Sequence, residues 1–154
     1  MFRDMRRDKK QLTKKEAVVI LKKGEYGVLA TIGSDNYPYA LPLNYIYYNN
    51  KIYLHCAQEG HKLDNIKNNN KVSFTVVGDY KLQPAEFTSK YESVVIFGRA
   101  NLIEGKAKEE VLNQFILKFS PQFKSEGFDY VKQAANKTAI IEIKIEDLKG
   151  KIND

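Results

Sequence analysis

His55 and His61 are the only histidines in the chain, and they flank its single cysteine, Cys56, in the segment Ile52–Asn65 (I-Y-L-H-C-A-Q-E-G-H-K-L-D-N). Imidazole titrates near neutrality, so either ring is a candidate proton carrier. Lys62 follows His61 directly after Gly60, where the pattern turns helical: Leu63 and Ile66 are three apart, with polar residues between them. A helix start carries unpaired N–H groups and the positive end of the peptide dipoles, so it attracts anions. A lysine in the first turn is unfavourable unless an anion sits beside it. We therefore read the Gly60–Lys62 turn as a phosphate site, with Lys62 as its cation and His61 flanking it. A metal site built from His55, Cys56 and His61 fails. Adjacent residues on a strand point to opposite faces, and no second cysteine exists.

The elements that position these groups can be derived. Ile52, Leu54 and Cys56 alternate with Tyr53 and His55, which predicts a strand. Asn49-Asn50 predicts a tight hairpin back onto a strand running from Tyr37 to Tyr48. That register pairs Tyr48 with Lys51, Tyr45 with Leu54, Asn44 with His55 and Leu43 with Cys56. One face then carries Leu43, Tyr45, Tyr47, Ile52, Leu54 and Cys56 and belongs to the core, with Cys56 as a small buried hydrophobe. The other carries Pro42, Asn44, Ile46, Tyr53 and His55. A polar pair among apolar neighbours suits a ring-shaped ligand with polar edges. His55 is then either a proton donor to that ligand's partner or a histidine satisfied by Asn44.

Around this unit the chain reads in order. Thr13-Lys14-Lys15-Glu16 is a capping box that opens a helix ending at Gly24. Tyr26–Ile32 is a strand with Val28, Ala30 and Ile32 on one face. Pro38 and Pro42 mark the next strand as an edge or interrupted one. Lys71–Val77 is a strand and Gly78–Ser89, with Pro84 and no periodicity, a loop. Glu92–Ile103 is a strong strand whose Gly98 predicts a bulge or close approach. Lys106–Phe119 is an amphipathic helix with Val111, Leu112, Phe115, Ile116 and Phe119 on its stripe. A turn or two of helix over Phe128–Ala135 and a strand over Thr138–Leu148 complete it.

A length of 154 residues predicts one domain, 1–154, with a basic arm over 1–12. The net charge of +6 is concentrated in that arm, which reads as solvated rather than as a nucleic-acid contact. The arm lacks the apolar run of a signal peptide, no segment reads as a membrane span, and one cysteine forms no internal disulfide. These features point to a reducing cytoplasm. Ten tyrosines and eight phenylalanines without a tryptophan suit an aromatic-rich sheet. The expected class is mainly β with peripheral α-helices: a six-stranded, closed or partly closed barrel.

Leu41-Pro42-Leu43-Asn44-Tyr45, then His55-Cys56-Ala57 with Gly60–Asn65, then Phe97-Gly98-Arg99-Ala100, resemble the pyridoxamine 5′-phosphate oxidase-like FMN-binding split barrels. Within them the chain is most similar to the nitroimidazole-resistance branch. The resemblance implies a six-stranded split β-barrel and a homodimer with FMN at the subunit interface. It places the ring against Pro42, Leu43, Asn44 and Tyr45, with His55, Cys56 and Ala57 beside it. The phosphate falls at His61 and Lys62, and Phe97, Gly98 and Arg99 lie near the cofactor or the interface. It implies electron transfer from a reduced nicotinamide or ferredoxin to a small acceptor such as a nitroaromatic ring. Oxidation of vitamin B6 is not expected. The vitamin B6 oxidase itself holds its substrate with a C-terminal segment bearing Arg and Trp, whereas this chain has no Trp and its basic residues after Ala134 are Lys137, Lys144, Lys149 and Lys151. His61 also stands where relatives carry a stronger base. Two other classes remain: a flavin- or haem-binding barrel without turnover, and a basic nucleic-acid-binding barrel.

Overall fold

The computed structural model describes residues 1–154. Eight strands and four α-helices follow one another: β1 (Gln11–Leu12), α1 (Lys14–Lys23), β2 (Tyr26–Ile32), β3 (Pro38–Asn44), β4 (Ile46–Tyr48), β5 (Lys51–Ala57), α2 (His61–Asn68), β6 (Lys71–Gln83), β7 (Thr88–Ile103), α3 (Gly105–Phe119), α4 (Lys124–Ala134) and β8 (Thr138–Asn153). The expected mainly β architecture is present. The six long strands become eight because the Tyr37–Tyr48 run divides and a two-residue β1 pairs with β8.

The sheet runs β3-β2-β6-β7-β8-β5-β4, every neighbouring pair antiparallel. Its two end strands, β3 and β4, are consecutive in the chain, with only Tyr45 between them. The sheet must therefore curl until its ends meet, which makes a split barrel. The barrel interior packs Leu29, Tyr45, Ile52, Leu54, Phe74 and Ile96. α1 adds Ala17, Ile20 and Leu21 to it, and α2 adds Leu63 and Ile66. The capping box at Thr13 forms as read, with Glu16 accepting from the Thr13 backbone N–H at 2.7 Å. A second cluster packs Val111, Leu112 and Phe115 of α3 and Val131 of α4 on Ile46, Tyr53 and Ile140.

Four readings change. Gly78–Ser89 is no loop: β6 and β7 extend through it, joined by a single 3₁₀ turn over Pro84–Glu86. Phe128–Ala134 lies in a helix that begins earlier, at Lys124, and Ala135 opens a 3₁₀ turn. The basic arm is not simply solvated, since Phe2 stacks on Phe97 with ring centroids 5.6 Å apart. The hairpin holds from Tyr48↔Lys51 to Ile46↔Tyr53, with both turn asparagines at positive φ (51° and 61°), but ends there. Tyr45 leaves the ladder: its side chain is fully buried and its hydroxyl donates to Leu21 O at 2.6 Å. Asn44 and Leu43 accordingly pair with Tyr26 and Gly27 of β2, not with His55 and Cys56.

Candidate functional site

Asn44 and His55 still come together. With Tyr26, Pro42 and Leu43 they line one cleft of about 310 Å³, at the low end of small-ligand sites. The α3–α4 pair covers Ile46 and Tyr53, meets His55 through Phe115 alone, and leaves Pro42 and Asn44 exposed. Asn44 donates its Nδ2 to Glu25 O at 3.1 Å, so it does not satisfy His55. His55 has no hydrogen-bond partner of its own. Its ring meets Phe115 edge-on at 4.7 Å, and desolvation lowers its pKa from the ordinary 6.5. The imidazole is therefore neutral at pH 7, and part of it stays exposed to the cleft.

The corner behind Asn44 is held by Lys118 of α3, which the sequence reading missed. Its ammonium donates to Gly24 O and to Tyr45 O (3.1 Å), and lies over the Tyr45 ring at 4.4 Å. One cation thus ties the α1–β2 turn to the β3–β4 break. Burial lowers the Lys118 pKa from 10.5, partly opposed by Glu25. A lone lysine on a helix stripe gives no signal in sequence; only the two carbonyls it meets identify it.

α2 begins at His61 as expected. Gly60 precedes it at φ 149°, and no side chain caps the helix. A Cβ added at Gly60 would meet nothing within 4 Å, so the chain is open at the residue that precedes the helix. Lys62 is half-buried beside Cys56: burial raises the thiol pKa and the Lys62 ammonium opposes this. His61 stacks on Tyr39 of β3 at 4.0 Å. Asn65, also missed, pins α2 to the sheet by donating Nδ2 to Thr31 Oγ1 at 3.0 Å. Tyr39 and Asn44 are five residues apart on one strand, about 17 Å at extended spacing. Strand β3 therefore carries the open cleft at one end and the helix start at the other.

The remaining expected residues lie elsewhere. Tyr45 is core, so its side chain is closed to a ligand, and Ala57 is exposed beyond the cleft. Cys56 is only half-buried, against the barrel interior. Phe97, Gly98 and Arg99 line a separate hollow of about 360 Å³ with Met1, Phe2 and Glu146. There Arg99 Nε pairs with Glu146 at 3.3 Å. Both clefts are linked by one apolar outer surface. Pairing in register puts Pro42, Val28, Thr75 and Val95 in one row and Ala40, Ala30, Ser73 and Phe97 in the next. Val28 is 38% exposed and Phe97 43%, the latter with Phe2 stacked on it. The face read at Val28, Ala30 and Ile32 is this outer one, while Leu29 and Thr31 turn inward.

A curled antiparallel sheet with a ligand-sized cleft at its split defines a class, and the family model described as pyridoxamine 5′-phosphate oxidase matches residues 13–152. The chain belongs to that family. It is similar to the crystal structure of a candidate 5-nitroimidazole antibiotic resistance protein from Bacteroides thetaiotaomicron (22% identity, 92% of this chain and 86% of that one, TM-score 0.78). A conserved hypothetical protein from Mycobacterium tuberculosis is similar at 20% identity (97% and 90%, TM-score 0.83). An FAD-binding protein from Mesorhizobium loti is similar at 23% identity (94% and 97%, TM-score 0.68). At these identities the likeness is one of fold. No curated protein sequence matches the chain. No helix is long and apolar enough to cross a membrane.

Proposed function

We propose that the protein is a homodimeric FMN-binding oxidoreductase that reduces small nitroaromatic compounds such as 5-nitroimidazoles. The observation that carries this reading is the shared cleft of Asn44 and His55, on the strand that also reaches the open start of α2. The residues fit the group. No side chain caps the helix start after Gly60, and Lys62 supplies a cation for a phosphate. Asn44 Oδ1 accepts no hydrogen bond within the protein and suits a ring edge that carries an N–H. Pro42 and Leu43 offer the apolar floor. Bound there, a flavin would accept electrons from a reduced nicotinamide or ferredoxin and release them to the acceptor.

Nitro reduction consumes protons as well as electrons, and His55 is the group in the cleft that can hold one. The outer face through Val28, Ala30 and Phe97 is the surface for a symmetric partner. A second copy laid across it would bring its own Phe97–Arg99 hollow towards the first copy's cleft. The unpartnered imidazole of His55 also suits a second reading, a barrel that holds flavin or haem without turnover.

The test has two parts. The purified protein should be yellow, and Lys62→Ala should weaken FMN by about 1.5–3 kcal/mol while leaving riboflavin almost untouched. Equal loss for both would remove Lys62 from the phosphate. Then, with the flavin reduced without oxygen, a nitroimidazole should reoxidise it and lose its nitro absorbance. Failure of that reaction leaves the binding role alone.

A further inference from the structure

One turn of α3 carries three residues that reach the strands around the cleft. Phe115, Lys118 and Phe119 stand at positions i, i+3 and i+4, so they share a helix face. Phe115 is 5% exposed, and its ring is nearly perpendicular to that of His55 (88°), with centroids 4.7 Å apart. Phe119 stacks on Phe115 at 6.0 Å. The Lys118 ammonium lies 5.3 Å from the centre of the Phe119 ring while it donates to Gly24 O and Tyr45 O. Contacts therefore run unbroken from the β3–β4 break, next to Asn44, to the His55 imidazole on β5.

No hydrogen bond fixes the His55 ring, so packing must set its angle. Its paired residue on β8 is Ile140, fully buried and on the same side of the sheet. Phe115 and Ile140 belong to one apolar cluster. Charge does not orient the ring either. On that side of the sheet Glu142 accepts from Tyr53 at 3.0 Å and pairs with Lys51 at 3.6 Å. Glu110 of α3 accepts from Tyr48 at 2.6 Å. Within the cleft His55 meets an amide and a phenol, those of Asn44 and Tyr26. Burial lowers the His55 pKa, with no charge among the causes.

We infer that Phe115 is a positioning residue for the proton donor of the cleft: its ring sets the angle of the His55 imidazole, and Phe119 and Lys118 hold Phe115 in turn. This rests on the role proposed above for His55. One turn of α3 then governs both walls of the cleft, through Lys118 at the Asn44 corner and through Phe115 at His55. Removing the Phe115 ring should free the imidazole to turn and let water reach it, so that its orientation and its proton affinity change together.

The chain has two histidines, so the protein as purified gives two sets of imidazole NMR signals, which His61→Gln assigns. Phe115→Leu should move the His55 signals and raise its pKa towards the ordinary 6.5, with the His61 signals unmoved as a check on the fold. The pH midpoint of nitroimidazole reduction by the flavin-loaded protein should rise with it. The plateau rate at acid pH should fall at least about tenfold, because a loose ring is less often aimed at the acceptor. Phe119→Leu, at a residue 37% exposed, disturbs the core less and should move His55 in the same direction by a smaller amount. His55 signals and pKa unchanged in both variants overturn the inference, and so does a lowered rate with an unmoved midpoint. Moved signals and a raised pKa in a protein that reduces no nitro compound uphold the placement of the ring and overturn the proposed reaction.

Discussion

Asn65 donates to Thr31 Oγ1 across the α2–β2 contact, at 3.0 Å and with both residues almost closed to water (4% and 1% exposed). Thr31 passes the link on to the Tyr39 carbonyl at 3.4 Å. Tyr39 is also the ring beneath His61. The helix start proposed for a phosphate is therefore fixed to the sheet through a short buried polar chain.

Asn65→Leu should cost about 1–3 kcal/mol in urea unfolding, because the Thr31 hydroxyl loses a buried partner. Adding Thr31→Val should cost less than the sum of the single changes, since both polar groups are then gone. Strict additivity would show that the pair is not coupled.

Lys118→Met keeps the aliphatic stem and removes the ammonium. The carbonyls of Gly24 and Tyr45 then lose their shared donor, at about 1–3 kcal/mol of stability. Flavin affinity should fall with it, because Asn44 adjoins the loosened corner. Stability loss with unchanged affinity would separate the clamp from the cleft.

Desolvation lowers the His55 pKa from 6.5, so the folded state favours the neutral ring more than the unfolded chain does. The stability this gives is present above the unfolded value and is lost as pH falls through the lower folded one. Thermal midpoints taken between about pH 7 and pH 5 should drop, and His55→Leu should flatten that drop. If His55 acts as the proton donor, turnover should rise over the same acidic range, since the charged form is the scarce one at neutrality.

Ala30→Arg places a charge in the middle of the outer sheet face, in the row that holds Phe97. Sedimentation should show a monomer where the parent chain is a dimer, with the barrel's circular dichroism retained. An unchanged dimer would move the interface elsewhere on the surface.

The parts of the fold that were legible in sequence are those where one side of an element faces the core. The Thr13 capping box, the Asn49-Asn50 turn and the α3 stripe each follow from local chemistry. The β6–β7 extension over Gly78–Ser89 was not legible because its apolar residues stay exposed; Val77, Tyr80 and Leu82 alternate imperfectly across the register shift, and Pro84 looks like a breaker. The break at Tyr45 was hidden for the opposite reason. A buried tyrosine continues the alternation perfectly, and only its reach to Leu21 O shows that the strand has ended. In the cleft, Asn44 and His55 were found by a register that is wrong beyond Ile46, yet curling of the sheet brings them together. Lys118 and Asn65 depend on partners 73 and 34 residues away, which no local pattern records.

Strand β8 lies between β7 and β5, so it joins the two halves of the sheet although it is the last strand in chain order. During synthesis, β3-β2-β6-β7 and the β4–β5 hairpin emerge as separate pieces, each with a bare edge where β8 belongs. Closure waits for residues beyond Thr138, and it brings β5 and β7 together across long chain separations. Until then both edges are open to pairing with other chains. The species most open to wrong pairing is therefore the chain before β8 has docked, not the closed barrel.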